Sequence, residues 1–181
     1  MKKTILILSL TFLTGILFAQ KKTTTSATVS FDATTDLDKL PKADNNTVVA
    51  AVDTKTGAVQ FEATVKNFAF SNPSIQEHFN GEKWLNSNTH PTFTFNGQIA
   101  NPSDVNFAKD GTYKTTVQGT LTVKGVSKNI SAPATVVIKD GSISATSNFT
   151  IKLADYGISG GPIESGKIAR EPKVTVSAQF N

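Results

Sequence analysis

The sequence predicts an all-β protein whose single domain contains about eight antiparallel strands. Apolar and polar residues alternate along most of the chain, as in Val59–Val65 and Phe93–Ile99, and these stretches are rich in Thr, Val and Phe. Turn-forming residues separate them, and Asp140-Gly141 is suited to the positive φ angles of a type I′ turn. Strands with one apolar face must bury it, either in a sandwich of two sheets or in a closed barrel.

The N-terminus is typical of a secretory signal peptide over residues 1–20. Lys2 and Lys3 precede the apolar run Thr4–Phe18, and Ala19 supplies a small residue for cleavage. The run is short for a transmembrane span. We therefore expect a mature domain over residues 21–181 that is periplasmic or secreted, with no transmembrane span.

Composition limits how this domain is stabilised and what it binds. There is no cysteine among the 181 residues, so disulfides and lipid attachment to an N-terminal cysteine are excluded, and core burial must stabilise the fold. Without Lys2 and Lys3, 16 cationic side chains remain against 14 acidic ones. This weak, dispersed charge does not indicate nucleic acid as a partner.

The alternation places the strands in order along the chain. Thr54–Gly57 fits a hairpin turn, Lys124-Gly125 separates two strands, and Pro133 predicts a bulge or a sheet edge. Asp36–Asn46 and Asn101–Gly111 are predicted to be long polar loops. The predicted strands are Ala27–Ala33, Val48–Asp53, Ala58–Lys66, Thr92–Ile99, Val117–Val123, Asn129–Ile138, Ile143–Ile151 and Val174–Phe180.

One segment, Asn72–Asn88, breaks the strand pattern. Pro73 suits the first turn of a helix, and Asn72 before it suits the N-cap. A second short turn is expected at Glu82–Leu85. Helical spacing would put three residues on one face: Ile75, His78 and Phe79.

Three segments of the chain resemble the YceI-like family. Ile75–Gly97 resembles the family's short helix followed by an aromatic residue and a strand, Gly119–Lys128 resembles its Gly-x-Leu-Thr-Val hairpin, and Asp155–Ile158 resembles its Asp-Phe-Gly-Ile element. Two positions depart from the pattern. His90 stands where the family more often has Tyr, and Leu153 stands where it often has Arg.

The resemblance implies a lipocalin-like barrel of eight antiparallel strands with a short helical segment over one end. It also implies a secreted or periplasmic protein that binds a polyisoprenoid chain, such as an isoprenoid quinone, in an apolar tunnel. A homodimer is compatible with it.

The alternating strands supply an apolar lining for such a tunnel. A long tail is needed, because each buried methylene contributes about 0.8 kcal/mol whereas association costs about 4–15 kcal/mol. The predicted partner is therefore a long-chain apolar lipid. The predicted lining residues are Phe31, Phe61, Phe93, Phe95, Leu121, Val123, Phe149, Ile151 and Phe180.

We expect the lipid's polar head to lie at the mouth of the barrel, near the helical cover. The candidate residues there are His78, Phe79, Trp84 and Tyr156. The alternation is equally compatible with a filled core, in which case the protein is a secreted structural or interaction module without a ligand.

Other chemistries are less well supported by the sequence. His78 and His90 flank Trp84, yet zinc needs three or four ligands and no His-Glu-x-x-His spacing occurs. No Gly-x-Ser-x-Gly motif occurs either. One Trp and two Tyr are too few for the aromatic girdles of an outer-membrane barrel. We predict a protein that is not an enzyme, with no catalytic residues, metal or cofactor.

Overall fold

The computed structural model describes residues 21–180, so the predicted signal peptide at residues 1–20 lies outside the described part of the chain. The helices are α1 (Pro73–Asn80) and α2 (Gly161–Glu164), with 3-10 turns at Val65–Asn67, Pro102–Asp104 and Leu153–Tyr156. The strands are β1 (Lys21–Asp32), β2 (Lys42–Asp53), β3 (Ala58–Thr64), β4 (Ala69–Phe70), β5 (Thr92–Ile99), β6 (Gly111–Val123), β7 (Val126–Lys139), β8 (Ser142–Thr150) and β9 (Lys173–Phe180).

Eight of these strands close into an antiparallel barrel. Around the wall the order is β1, β9, β8, β7, β6, β5, β3 and β2, and pairing between β2 and β1 closes the ring. The two-residue strand β4 pairs with the outer part of β2. The predicted eight-stranded barrel with a short helical cover is confirmed, and the sandwich alternative is excluded.

Tight turns join the strands where the sequence predicts them. Asp140 and Gly141 have φ angles of 51° and 77°, and Lys124 and Gly125 have φ angles of 50° and 74°. Two successive positive φ angles are the requirement of a type I′ turn, whose twist matches that of the flanking strands. The two hairpins β6–β7 and β7–β8 therefore follow from local sequence.

The predicted loop Asp36–Asn46 is wrong in its second half, because β2 already begins at Lys42. This part of β2 is polar on its outer side, where side chains pair with β1 instead of packing. The Oγ1 of Thr28 donates to the Oδ1 of Asn46 at 3.1 Å, and the Oγ of Ser30 donates to Asp44. In this part of β2, hydrogen bonds to β1 take the place of the alternating apolar side chains from which strands were predicted.

A pair of glycines brings β5 and β6 close together. Gly97 and Gly119 are opposite each other, and a Cβ at Gly119 would lie 2.4 Å from the Cα of Gly97. At Gly97, an added Cβ would lie 2.5 Å from the ring of Phe95, so this ring covers the glycine. Glycines on the inner face allow a barrel wall to coil sharply.

The two ends of the barrel differ in cover. Residues 33–41, 65–91, 124–125 and 151–172 form the end that we call the helical end, because α1 lies there. Asn72 caps α1 as predicted, since its side chain accepts hydrogen bonds from the backbone N–H groups of Ser74 and Ile75. The opposite end is formed by residues 54–57, 100–110 and 140–141.

None of the helices within residues 21–180 has the length and apolar character needed to cross a membrane.

Candidate functional site

The barrel contains an apolar cavity that runs between its two ends. Its volume is about 180 Å³. Among residues 21–180, three hydroxyl-bearing residues, Thr94, Thr146 and Ser147, belong to the lining, and no charged residue does. Such a wall offers desolvation and shape to a ligand, without a group that could hold an ion.

All nine residues predicted to line an interior do line this cavity. Seven of them are only half-buried, although they point into a closed barrel, and Val123 and Phe180 are buried. Inward-facing phenylalanines of a filled barrel would be packed on all sides. The partial exposure therefore indicates a hollow interior, while the role of these residues as ligand contacts stays a prediction.

Aromatic rings attach the cover to the barrel at the helical end. The ring of Phe79 in α1 lies 4.8 Å from that of Phe70 and 5.8 Å from that of Phe68. Phe68 in turn lies 5.7 Å from Phe93 at the start of β5. Phe79 is 5 % exposed and lines the cavity. The aromatic cluster thus packs α1 against the barrel and forms one end of the cavity.

Two of the predicted mouth residues lie elsewhere. His78 is exposed on the solvent side of α1 and does not line the cavity, because its neighbour Phe79 takes the inward direction. Tyr156 is 2 % exposed, packs in the core below the lining, and does not reach the cavity either. Burial raises the pKa of Tyr156, and the adjacent Asp155 raises it further. Only Trp84 and Phe79 of the four predicted mouth residues line the cavity.

His90 lies beside the turn between β6 and β7. A Cβ at Gly125 would lie 2.9 Å from the imidazole Cε1 of His90, so the ring packs against that turn. No group of three or more potential metal ligands occurs within the described residues 21–180.

Part of the lining was not predicted from the sequence. Phe107 lies in the loop predicted to be polar, and it lines the cavity at the end opposite α1. Its signal in the sequence is faint, since the other apolar residues close to it in this loop are Val105 and the small Ala108. Phe68 and Leu85 also line the cavity, and both are buried in irregular segments that period-two counting does not detect.

A hollow apolar barrel with a helical cover is the architecture implied by the three family-like segments. The YceI-like domain model matches residues 14–180 of the chain. This protein belongs to the YceI-like family. A search of curated proteins gives no match.

Solved structures share the fold of this YceI-like chain at low sequence identity. Burkholderia cenocepacia BcnA is 20% identical with a TM-score of 0.71, covering 86% of this chain and 96% of that chain. A polyisoprenoid binding domain from Saccharophagus degradans is 14% identical with a TM-score of 0.74, covering 90% and 98%. The Campylobacter jejuni YCEI protein is 18% identical with a TM-score of 0.54, covering 81% and 86%.

The family-like segments occupy structural positions in this YceI-like chain that shape the cavity. The Gly119–Lys128 segment supplies the glycine that meets Gly97 and the turn beside His90. The Asp155–Ile158 segment follows Leu153, which is 2 % exposed and lines the cavity. Since Leu153 stands where the family often has Arg, this chain has an uncharged wall there.

Proposed function

We propose that this protein is an exported binding protein that holds a long-chain apolar lipid, a polyisoprenoid or an isoprenoid quinone, in the barrel cavity. The observation that carries the proposal is the half-exposed apolar lining of a closed barrel, without a charged residue. The named polyisoprenoid-binding neighbour supports the same ligand class. Binding involves shape and desolvation, with no covalent step.

The chemistry of the lining favours a tail over a compact metabolite. A compact polar ligand would lose its hydration, and few polar side-chain groups of the lining could replace it: the hydroxyls of Thr94, Thr146 and Ser147 and the indole N–H of Trp84. A hydrocarbon tail has no such loss, and its gain grows with each buried methylene by about 0.8 kcal/mol. Affinity should therefore rise with tail length.

Trp84 provides a direct test, because it is the one tryptophan of the chain and lines the cavity. Titration with a long-tailed isoprenoid quinone should quench its fluorescence saturably. A quinone with the same head and no tail is the matched ligand control, and free tryptophan corrects for absorption by the quinone. Failure of the long-tailed quinone to quench, or equal quenching by both quinones, would contradict tail binding and favour a filled module without a ligand.

Export is supported by the charged and apolar character of residues 1–20. Fractionation of the host followed by N-terminal sequencing tests it. The expected result is a periplasmic or secreted protein that begins near Gln20. An intact Met1 in the cytoplasmic fraction would contradict export.

A further inference from the structure

Part of strand β7 has a free edge in the barrel wall. β7 pairs with β8 as far as Ala134↔Ser147, where the pairing ends. Beyond that point β7 continues to Val126 as a partner of β6, while β8 continues as a partner of β9. Residues 126–133 of β7 therefore have one paired edge and one free edge, which we call the open edge.

The direction of the backbone groups on the open edge follows from Pro133. Its carbonyl oxygen accepts a hydrogen bond of 2.7 Å from the Oγ of Ser147 in β8, so it points away from β6. The N–H and C=O groups of one strand residue point to the same side, and the side alternates along the strand. The backbone groups of Ser127, Asn129 and Ser131 therefore also point to the open edge. Such a row of backbone groups is a template for pairing with a strand of another molecule.

Pro133 limits pairing where the open edge begins. The sequence predicts a bulge or a sheet edge at this proline, and its regular register with Thr116 in β6 is that of an edge. The N–H that proline lacks would point to the open edge, so the pairing with β6 loses no hydrogen bond. A strand added beside β7 would lack a donor at this position.

Lys128 lies on the open edge and is on the inward-facing register of β7. It is opposite Leu121, a lining residue of the cavity, and residues directly opposite each other in an antiparallel pair share one face of the sheet. The next residues of β7 on this face, Ile130 and Ala132, also line the cavity. Lys128 is nevertheless exposed, and no strand pairs with β7 beside it. Its charge therefore stays hydrated although its register is that of an apolar lining.

A second lysine on the inward register has a partner of its own. Lys22 in β1 is opposite the lining residue Val52, and its ammonium group donates to the carbonyl oxygen of Gly141 at 2.9 Å. Within residues 21–180, no hydrogen bond or ion pair holds Lys128. Water is thus the partner of the Lys128 ammonium group, and it reaches this group because the edge is open.

We infer that Lys128 and Pro133 protect the open edge from pairing with a strand of a second copy of this chain. A strand added beside β7 would cover Lys128 and remove its ammonium group from water without offering an anionic partner. Burial of an unpaired charge is costly. Lysine, proline and inward-pointing charges are also the means by which edge strands avoid such pairing. The inference concerns assembly of the protein and does not depend on the proposed function.

Lys128→Val tests the inference by sedimentation velocity over a range of protein concentrations. Valine favours a strand and carries no charge, so an added strand could cover it. The variant should therefore form species larger than those of the wild type, and their share should rise with concentration. Circular dichroism and thermal melting establish that the variant is folded, and Lys128→Thr, which also removes the charge, should associate in the same direction.

Lys173→Val is the matched control. It makes the same substitution at an exposed position of β9, where β8 and β1 pair with both edges of the strand. Loss of a surface charge is the same in the two variants, and only Lys128→Val changes an open edge. Lys173→Val should sediment like the wild type. Equal association of the two variants would assign it to the lost charge and overturn the inference.

Ser131→Pro identifies the surface through which Lys128→Val associates. It removes an N–H that points to the open edge, so the pairing of β7 with β6 should stay intact. Added to Lys128→Val, it should restore the sedimentation of the wild type, and alone it should change nothing. The inference falls if folded Lys128→Val and Lys128→Thr sediment like the wild type, or if Ser131→Pro does not reverse their association. It also falls if Ser131→Pro alone gives a smaller species, because the wild type would then already pair through this edge.

Discussion

The ring of Phe79 in α1 lies 5.9 Å from the ring of Phe31 at the end of β1, with an interplanar angle of 57°. This contact joins the helical cover to the barrel wall. Tilted aromatic pairs at this separation contribute about 0.5–1.5 kcal/mol beyond the area they bury. Phe79 makes the same kind of contact with Phe68 and Phe70, so one side chain fastens the cover at three points.

Phe79→Ala should therefore lower the free energy of unfolding by about 3–5 kcal/mol, as expected for removal of a buried aromatic ring. Denaturant unfolding measures the change. His78→Ala is the matched control, since it alters the preceding, exposed residue of the same helix, and should stay within about 0.5 kcal/mol of the wild type. Equal losses in the two variants would show that the aromatic cluster does not fasten α1.

Phe149→Glu and Phe95→Glu separate a hollow barrel from a filled one. In the hollow barrel each added carboxylate occupies cavity space, so isoprenoid uptake should be abolished while the melting temperature falls less than it would in a filled core. In a filled core an unpaired charge would unfold the protein. Thr150→Glu adds the same charge at an exposed position next to Phe149 and should keep uptake. Unfolded Phe variants would argue for the filled core.

Gly119→Ala tests the close contact between β5 and β6. The added Cβ would meet backbone atoms of Asn96 and Gly97 at 2.4 Å, which requires the strands to separate. We expect a loss of about 1–3 kcal/mol, the range for overpacking. Gly161→Ala is the control, since no atom lies within 4 Å of its Cβ position and its φ angle is not positive. Similar stabilities of the two variants would contradict the strand contact as the reason for Gly119.

Most of the barrel follows from the sequence because its inner face is built by strict alternation. Thr94 separates Phe93 from Phe95 in β5, and Phe149 in β8 lies between the exposed residues Asn148 and Thr150. All three phenylalanines line the cavity. Closure does not follow from the alternation, which is compatible with a sandwich as well as a barrel; the resemblance to the YceI-like family implied the barrel. The covering helix was predictable from Asn72 and Pro73, whose roles at a helix start are local.

The remaining features depend on contacts between distant residues. β2 starts at Lys42 because Asp44 and Asn46 bond to β1, and sequence alternation carries no sign of these partners. Phe107 lies in a polar loop at the end of the barrel opposite α1, and its side chain lines the cavity there. The pairing of β7 with β8 ends at Ala134 and Ser147, although both strands continue beyond these residues. Such contacts join residues that are far apart in the sequence and form only in the closed barrel.

Asp32 gives the protein a predictable response to acid. The Oγ1 and the N–H of Thr34 donate to its carboxylate at 2.7 Å and 2.9 Å, and these bonds hold the pKa of Asp32 below its ordinary value of 3.8. A depressed carboxyl pKa adds stability above the ordinary pKa, and this is lost as the pH falls through the lowered folded-state value. The wild type should thus melt earlier in acid.

Asp32→Asn should reduce the melting temperature at neutral pH and shrink its fall between neutral pH and about pH 3, since the titrating group is gone. Thermal melts across this range give the comparison. Asp36→Asn is the control, because Asp36 is exposed and pairs only with Lys39. An unchanged acid slope in Asp32→Asn would contradict the role assigned to the Thr34 hydrogen bonds.

The central claim is that the barrel holds a long hydrocarbon tail. Native mass spectrometry of the protein purified from its own host tests it most directly, with Phe149→Glu purified in parallel. We predict a wild-type species heavier than the chain by the mass of one isoprenoid lipid, and a ligand-free variant. Wild-type protein that is consistently ligand-free and takes up no added isoprenoid quinone would contradict the account.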